Sequence, residues 1–172
     1  IMNEENKETV VLGAICRGNS KFAKISQETK IEPKDLESIL QRLENSGLIR
    51  VDEKKGLLGT KIEINPTNEG YREFESQLKI LQNKWNQLEN SYKSGNKQEL
   101  EQKLKEDKSL FPSMMAFGII DMMMFSMMFT MIGASMGSFI PAEDVSGMDN
   151  DAGDMGDSDT SDDGGFDIDI GF

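Results

Sequence analysis

Hydrophobic positions recur at helical spacing between residues 33 and 45. The recurring side chains are Leu36, Ile39, Leu40 and Leu43. Steps of three and four residues place them on one face of a helix, where they can be buried together. Pro33 stands at the expected first helical position and Gly47 just past the expected end, which are the places where these residues are favoured. The pattern predicts a helix from Pro33 to Asn45.

Shorter elements are predicted on both sides of this helix. Residues 21–28 form an amphipathic stretch, and residues 29–32 form a turn that leads into the helix. After it, the short strand 48–51, a charged tip at 52–56 and the alternating strand 61–64 predict a β-hairpin. The order of helix, turn, helix and hairpin indicates a small α+β domain.

This order resembles the winged helix-turn-helix regulators of archaea and bacteria, of the general MarR or PadR type. The resemblance covers about residues 8–92 and rests on the run Leu-Glu-Ser-Ile-Leu-Gln-Arg-Leu-Glu-Asn-Ser-Gly-Leu-Ile at 36–49, the hairpin, and its exit at 65–70. It implies a winged helix-turn-helix domain at 1–70 whose second helix contacts DNA and whose hairpin is the wing.

The face of the predicted helix opposite the hydrophobic positions carries hydrogen-bond donors and cations. It comprises Lys34, Ser38, Gln41, Arg42 and Asn45. Such side chains suit the base edges of a DNA major groove, so double-stranded DNA is the expected partner. The resemblance assigns base reading to this face and phosphate or minor-groove contacts to Lys54 and Lys55 of the wing. The alternative is the solvated face of a winged helix that binds protein.

A long helix with a coiled-coil seam is predicted after the hairpin, within residues 71–108. Apolar side chains alternate at spacings of three and four: Tyr71, Phe74, Leu78, Leu81, Trp85, Leu88 and Tyr92. Such a helix favours a homodimer with two DNA-reading helices, and the alternative is a helix that folds back onto its own domain. A break at 94–96 and a shorter helix at 97–107 follow.

Residues 109–141 form a hydrophobic segment that is rich in methionine. It holds nine methionines, no basic residue and one acid, Asp121. Three interpretations are open. Residues 114–132 could cross a membrane as one helix, with the N-terminus inside and small residues at 126, 130, 134 and 138 for helix packing. The segment could instead form a hairpin packed on the protein. It could also offer an adaptable groove for apolar clients, since its methionine density resembles the methionine-rich domain of the signal recognition particle.

Charge is divided sharply along the 172 residues. All 19 Lys and Arg lie before residue 109, where 19 of the 31 acids balance them, and the other 12 acids follow from Asp121 onward. The net charge of −12 therefore belongs to the C-terminal third. A neutral DNA-binding domain predicts weak non-specific binding, because such binding depends on neutralised phosphates.

Residues 142–172 are predicted to be a disordered acidic tail, because acids, Gly and Ser dominate them. Its end differs in composition. Apolar side chains alternate with aspartates: Phe166, Ile168, Ile170 and Phe172. This tip is suited to a protein partner that offers a sheet edge or a carboxylate pocket, and it resembles the acidic, Phe-terminated tails of bacterial single-stranded-DNA-binding proteins. The alternative is a solubilising tail.

Catalysis is not expected from this sequence. It has no histidine, one cysteine in an apolar setting, no glycine-rich phosphate loop and no metal-binding pattern, so neither an enzyme nor a cofactor or metal site is predicted. The predicted function is a dimeric, sequence-specific DNA-binding transcription regulator in the cytoplasm, with a membrane tether through 114–132. The alternative is a winged-helix adaptor whose Met-rich segment binds apolar helices or hydrophobic clients.

Overall fold

The computed structural model describes residues 3–140. The acidic tail and its predicted partner tip lie outside the described residues. The described elements follow in the order α1 Glu4–Cys16, α2 Phe22–Thr29, α3 Pro33–Asn45, β1 Ile49–Gly56, β2 Gly59–Pro66, α4 Asn68–Lys93, α5 Lys97–Glu106, α6 Phe111–Ala116 and α7 Met122–Ile132. The fold is mixed α+β, and its first five elements are compatible with a winged-helix-like arrangement.

Local signals determine the α2–α3 corner. Helix α3 has the predicted bounds, with Pro33 in its first turn, and Gly47 follows its end with a φ of 73°. Lys30 connects the two helices with a φ of 56°, which is a left-handed conformation that few residues other than glycine adopt. The amphipathic stretch before it is helical from Phe22 to Thr29, one residue later than predicted.

The hairpin is longer than predicted, and its turn lies elsewhere. Strands β1 and β2 pair antiparallel from Ile49↔Pro66 out to Gly56↔Gly59. The charged residues 52–56 therefore belong to strand β1, and Leu57 and Leu58 form the turn. One further backbone bond, from the N–H of Ile64 to the carbonyl of Ser20 at 2.9 Å, ties the segment before α2 to the edge of β2.

Aliphatic side chains from α1, α2, α3 and the base of the hairpin form a first hydrophobic core. Its buried members are Val11, Leu12, Ala14, Ile15, Ile25, Ile31, Leu36, Ile39, Leu40, Leu43, Ile49, Ile64 and Phe74. The four hydrophobic positions that predicted helix α3 are all among them. This core holds α3 with its opposite face to solvent.

The predicted seam on α4 is buried inside the chain, which corrects its assignment to a partner subunit. Phe74 belongs to the first core, whereas Leu81, Trp85 and Leu88 belong to a second core with helices α5–α7. Leu78 and Tyr92 are half-buried beside these cores. The spacing identified the buried face correctly, but the chain's own later helices cover it. The alternative, a helix folded back onto its own first domain, holds only for Phe74 and Leu78, which pack on the first core.

The Met-rich segment forms two helices, not one. Helix α6 ends at Ala116, Gly118 takes a φ of 66°, and α7 begins after Asp121. Asp121 is exposed and caps α7 by accepting hydrogen bonds from the backbone N–H groups of Met123 and Met124. Within residues 3–140, no helix combines the length and apolar character needed to cross a membrane. The predicted row of small residues is also interrupted, since α7 ends at Ile132.

The second core consists mainly of aromatic, leucine and methionine side chains. Its buried members are Leu81, Trp85, Leu88, Leu100, Leu104, Phe111, Met114, Ile120, Phe125, Met128, Phe129, Ile132, Phe139 and Ile140. The two cores meet beside α1, where the ring of Phe117 contacts Phe74 edge-on at 5.2 Å. Buried Asn6 of α1 also bonds to the carbonyl of Ser109 and the hydroxyl of Ser113.

Candidate nucleic-acid interface

The exposed face of α3 carries the five residues that the sequence predicted for base reading. Four of them form no ion pair within the part of the chain that the structure describes. Lys34, Ser38, Gln41 and Asn45 are all exposed. Their steps of four, three and four residues put them in one row along the helix. The hydroxyl of Ser38 donates to the backbone carbonyl of Lys34 at 3.4 Å, and its oxygen still has acceptor capacity. The row therefore offers one cation, two amides and a hydroxyl.

Arg42 differs from this row because its guanidinium is bound to helix α1. Its Nε lies 2.5 Å from a carboxylate oxygen of Glu8, and its Nη2 lies 2.8 Å from one of Glu4. The hydrogen bond to Glu8, aided by the negative charges of Glu8 and Glu4, raises the pKa of Arg42 above its ordinary value. Arg42 thus links α3 to α1, and a base contact would require these two bonds to break.

The hairpin holds two lysines directly opposite each other. The register pairs Lys54 with Lys61, and like charges at facing positions of antiparallel strands repel. Lys54 is compensated diagonally by Glu63 at 2.9 Å, and that hydrogen bond raises the pKa of Lys54 and lowers the pKa of Glu63. Lys55, the other predicted wing residue, is exposed on the opposite side of the strand.

A hollow lies between the hairpin and the start of helix α2. Its volume is about 550 Å³, and its lining residues are Ser20, Lys21, Lys54, Lys61, Ile62 and Glu63. Three cations and one carboxylate leave the lining with a net charge of +2. The arrangement brings the first residues of α2 and the wing together around one site that can attract an anion.

Lys21 and Lys61 were not among the residues predicted to bind DNA. The sequence places Lys61 at the start of the second strand and Lys21 at the start of the first short helix, and neither position by itself indicates a DNA contact. A hairpin turn at Leu57–Leu58 between two glycines would have put Lys61 opposite Lys54. A tip at 52–56, as the sequence predicts, does not give this register.

A second hollow lies beside the Met-rich helices. It is shallow, about 560 Å³ in volume, and Tyr92, Lys93, Met127, Thr130 and Met131 line it. Most of the methionines of this segment pack into or against the second core: Met114 and Met128 are fully buried, and Met115, Met122, Met124, Met131 and Met136 are half-buried. Met123 and Met127 remain exposed on α7. The segment is therefore mainly a core element, with a small methionine surface.

The chain matches no protein-family model and no curated protein. The resemblance of residues 8–92 to winged helix-turn-helix regulators remains a prediction. The features that bear on function are the exposed row on α3, the hairpin, and the hollow between the hairpin and the start of α2.

Proposed function

We propose that this protein binds double-stranded DNA as a transcription regulator, with α3 in the major groove and the hairpin as a wing. The observation that supports the proposal best is the lysine-lined hollow between the hairpin and the start of α2. In a helix-turn-helix, the recognition helix enters the groove while the preceding helix crosses the backbone. Lys21, Lys54 and Lys61 would then meet the phosphates that flank the base edges read by α3.

Within this proposal, the residues that contact DNA divide into two groups. Gln41 and Asn45 supply amides that pair bidentately with adenine, and Lys34 supplies a cation for guanine. Lys21, Lys54, Lys55 and Lys61 contact phosphates, which fix the position of the protein but carry no sequence information. Arg42 is a positioning residue, because Glu4 and Glu8 hold its guanidinium against α1.

The predicted homodimer belongs to the proposal, but its interface must differ from the seam on α4. That seam is filled by α5–α7 of the same chain. Two copies would still be needed to read a two-fold symmetric site, whose half-sites lie about one DNA turn apart. Sedimentation velocity on the intact chain measures the number of copies directly.

Selection from a random duplex library at low salt, with the full chain, tests DNA binding. On a selected duplex, Gln41→Ala is expected to cost about 1–3 kcal/mol of specific affinity. The double variant Lys21→Gln, Lys61→Gln should weaken all duplexes alike and reduce the salt dependence by about two units, since each phosphate contact contributes about 0.9 to the slope. Fluorescence anisotropy over a series of salt concentrations measures both the affinity and its salt dependence.

Lys79→Gln is the matched control, because Lys79 is exposed on α4, outside the hollow and the row on α3. It should change neither the affinity nor the salt slope by a measurable amount. A library that yields no bound duplex contradicts the proposal. A double variant that keeps the full salt slope contradicts the assignment of Lys21 and Lys61.

Protein binding is the second candidate function, and the exposed methionines favour it. Met123 is 76% exposed on α7 and Met127 borders the shallow hollow beside Tyr92. Unbranched methionine side chains adapt to apolar partners of different shapes. If the duplex library yields nothing, an adaptor role through this surface replaces the DNA-binding proposal.

A further inference from the structure

The turn of the hairpin exposes two leucines completely. Leu57 and Leu58 have relative exposures of 108% and 102%, whereas the other large exposed hydrophobic side chains of the described residues range from 41% to 76%. Ile62 stands behind them on β2, also exposed. Two adjacent leucines in full contact with water contribute no hydrophobic stabilisation to the fold. Folding therefore does not explain their presence at the turn, and binding to a partner could.

The residues around these leucines are cationic. Residues 54–62, here called the hairpin tip, contain Lys54, Lys55 and Lys61 and no acid, and the acids that flank them are Glu53 and Glu63, the second of which pairs with Lys54 at 2.9 Å. The whole chain carries a net charge of −12. The hairpin tip thus combines two exposed leucines with neighbouring lysines, in a protein that is acidic as a whole.

The hairpin carries this tip well away from the helices. Five residue steps along each strand lead from Val51↔Ile64, at the edge of the first core, to Gly56↔Gly59 at the turn. At about 3.3 Å per residue the turn projects about 17 Å. That distance is roughly twice the Debye length of about 8 Å at physiological salt, so the acids of the helices are largely screened from a surface that the tip touches.

We propose that the hairpin tip is a docking point for an anionic lipid surface. Leu57 and Leu58 enter the boundary between headgroups and acyl chains, and Lys54, Lys55 and Lys61 lie at the lipid phosphates. Lys54 and Lys55 precede Leu57 by three and two residues, and Lys61 follows Leu58 by three, so the lysines lie about 7 to 10 Å from the leucines along the strands. This spacing agrees with the depth of about 5–10 Å to which interfacial apolar groups enter a bilayer.

The apolar character of the turn favours a lipid surface over DNA as the partner of the hairpin tip. Leucine offers no hydrogen bond to a base edge, and its gains from DNA are limited to contact with thymine methyl groups or to sites where base pairs unstack. An acyl boundary accepts both leucines without such a cost, and the ammonium groups can extend back to the headgroups. Lys54 and Lys61 also line the hollow proposed for DNA phosphates. Lipid and DNA would therefore compete for the same two cations.

Cosedimentation of the full chain with vesicles tests this proposal. The two vesicle preparations are phosphatidylcholine alone and phosphatidylcholine mixed with phosphatidylglycerol. We expect binding to the mixed vesicles only, with a loss of about tenfold or more in the partition coefficient for the double variant Leu57→Ser, Leu58→Ser. Both side chains are fully exposed, so this variant should keep the circular dichroism and thermal unfolding of the parent.

Ile80→Ser is the matched control, because Ile80 is a half-exposed aliphatic residue on α4. It should bind vesicles as the parent does. A Leu58→Trp variant adds a second readout: its fluorescence should shift to the blue on addition of mixed vesicles, while buried Trp85 gives a constant background.

Two results would overturn the proposal. The first is a parent protein that stays in the supernatant with both vesicle preparations. The second is vesicle binding that the double leucine variant retains. If that variant loses affinity for a selected duplex and the parent ignores vesicles, the hairpin tip belongs to the DNA interface instead. Failure of the duplex selection alone leaves the lipid result unaffected, because the vesicle assay contains no DNA.

Discussion

The first core and the second core of this protein are built from different side chains. The first is almost entirely aliphatic, with Ile, Val and Leu from α1–α3 and the hairpin, and Phe74 is its one buried aromatic residue among those described. The second holds five buried aromatic residues together with methionines and leucines. Helix α4 contributes to both, with Phe74 in the first and Trp85 in the second.

The difference lies in what determines the packing. Aliphatic side chains at helical spacing fill the first core from elements whose ends are marked locally. In the second core the ring of Phe125 contacts three other aromatic rings edge-on. The distances between ring centroids are 5.1 Å to Phe111, 4.9 Å to Phe129 and 5.9 Å to Trp85. Such contacts depend on ring geometry. The spacing of aliphatic residues along the sequence therefore accounts for the first core, whereas the packing of the second core depends on how the aromatic rings fit together in three dimensions.

The largest effect is expected from truncating the aromatic centre of the second core. Trp85 is 2% exposed, and Trp85→Ala should cost about 3–5 kcal/mol of unfolding free energy, as for other buried tryptophans. Urea unfolding followed by far-UV circular dichroism measures this. Ile80→Ala, on the exposed side of the same helix, should stay within about 0.5 kcal/mol of the parent. If Trp85 instead served a dimer, its loss would change the sedimentation coefficient and leave the monomer's stability nearly intact.

A smaller effect should show whether α4 makes the two cores unfold together. A Cβ on Gly70 would lie 2.0 Å from the carbonyl oxygen of Leu48, so Gly70→Ala must move the start of α4 and should cost about 1–3 kcal/mol. Because α4 spans both cores, Trp85 fluorescence and far-UV circular dichroism should shift together. Gly56→Ala is the control, since its Cβ would meet nothing closer than 3.7 Å. An unchanged Trp85 transition would show that the cores unfold independently.

The smallest effect concerns the thiol of Cys16 on α1. Burial raises its pKa from 9.0 to about 11, so the neutral thiol predominates at neutral pH. Alkylation by iodoacetamide should be slow in the folded protein, accelerate as the pH approaches 11, and become fast in urea, which is the control. Because the folded pKa is the higher one, the stabilisation from this thiol is present below about pH 9 and lost as the pH rises through 11. Fast alkylation of the folded chain at neutral pH would contradict this.

How far the candidate interface follows from the sequence depends on the range of the interactions involved. Helix α3, its exposed row and the corner at Lys30 depend on neighbours three or four residues away, so the sequence predicted them closely. The engagement of Arg42 by Glu4 and Glu8 joins residues more than thirty positions apart, and no local pattern indicates it. The same holds for Lys21, which reaches the hollow only because the hairpin folds back beside α2.

The hairpin illustrates a second limit. The alternation of residues predicts strands here, but the charged run 52–56, predicted as the tip, belongs to strand β1, and the turn falls at Leu57 and Leu58. Register then decided which lysines face each other. A shift in the turn changes every facing pair, so the local charge of the wing could not be assigned without the strand pairing.

By itself, the sequence determined helices α2 and α3 of the first core, the face of α4 that would be buried, and the hydrophobic character of the Met-rich segment. Only the tertiary structure decided what covers that face and where the Met-rich segment breaks. The physical reason is that burial favours any apolar neighbour of suitable shape. A heptad spacing is therefore satisfied equally by a second subunit or by the chain's own α5–α7. The break at Gly118 and the cap at Asp121 made the second arrangement available, since two short helices can pack where one long helix would project.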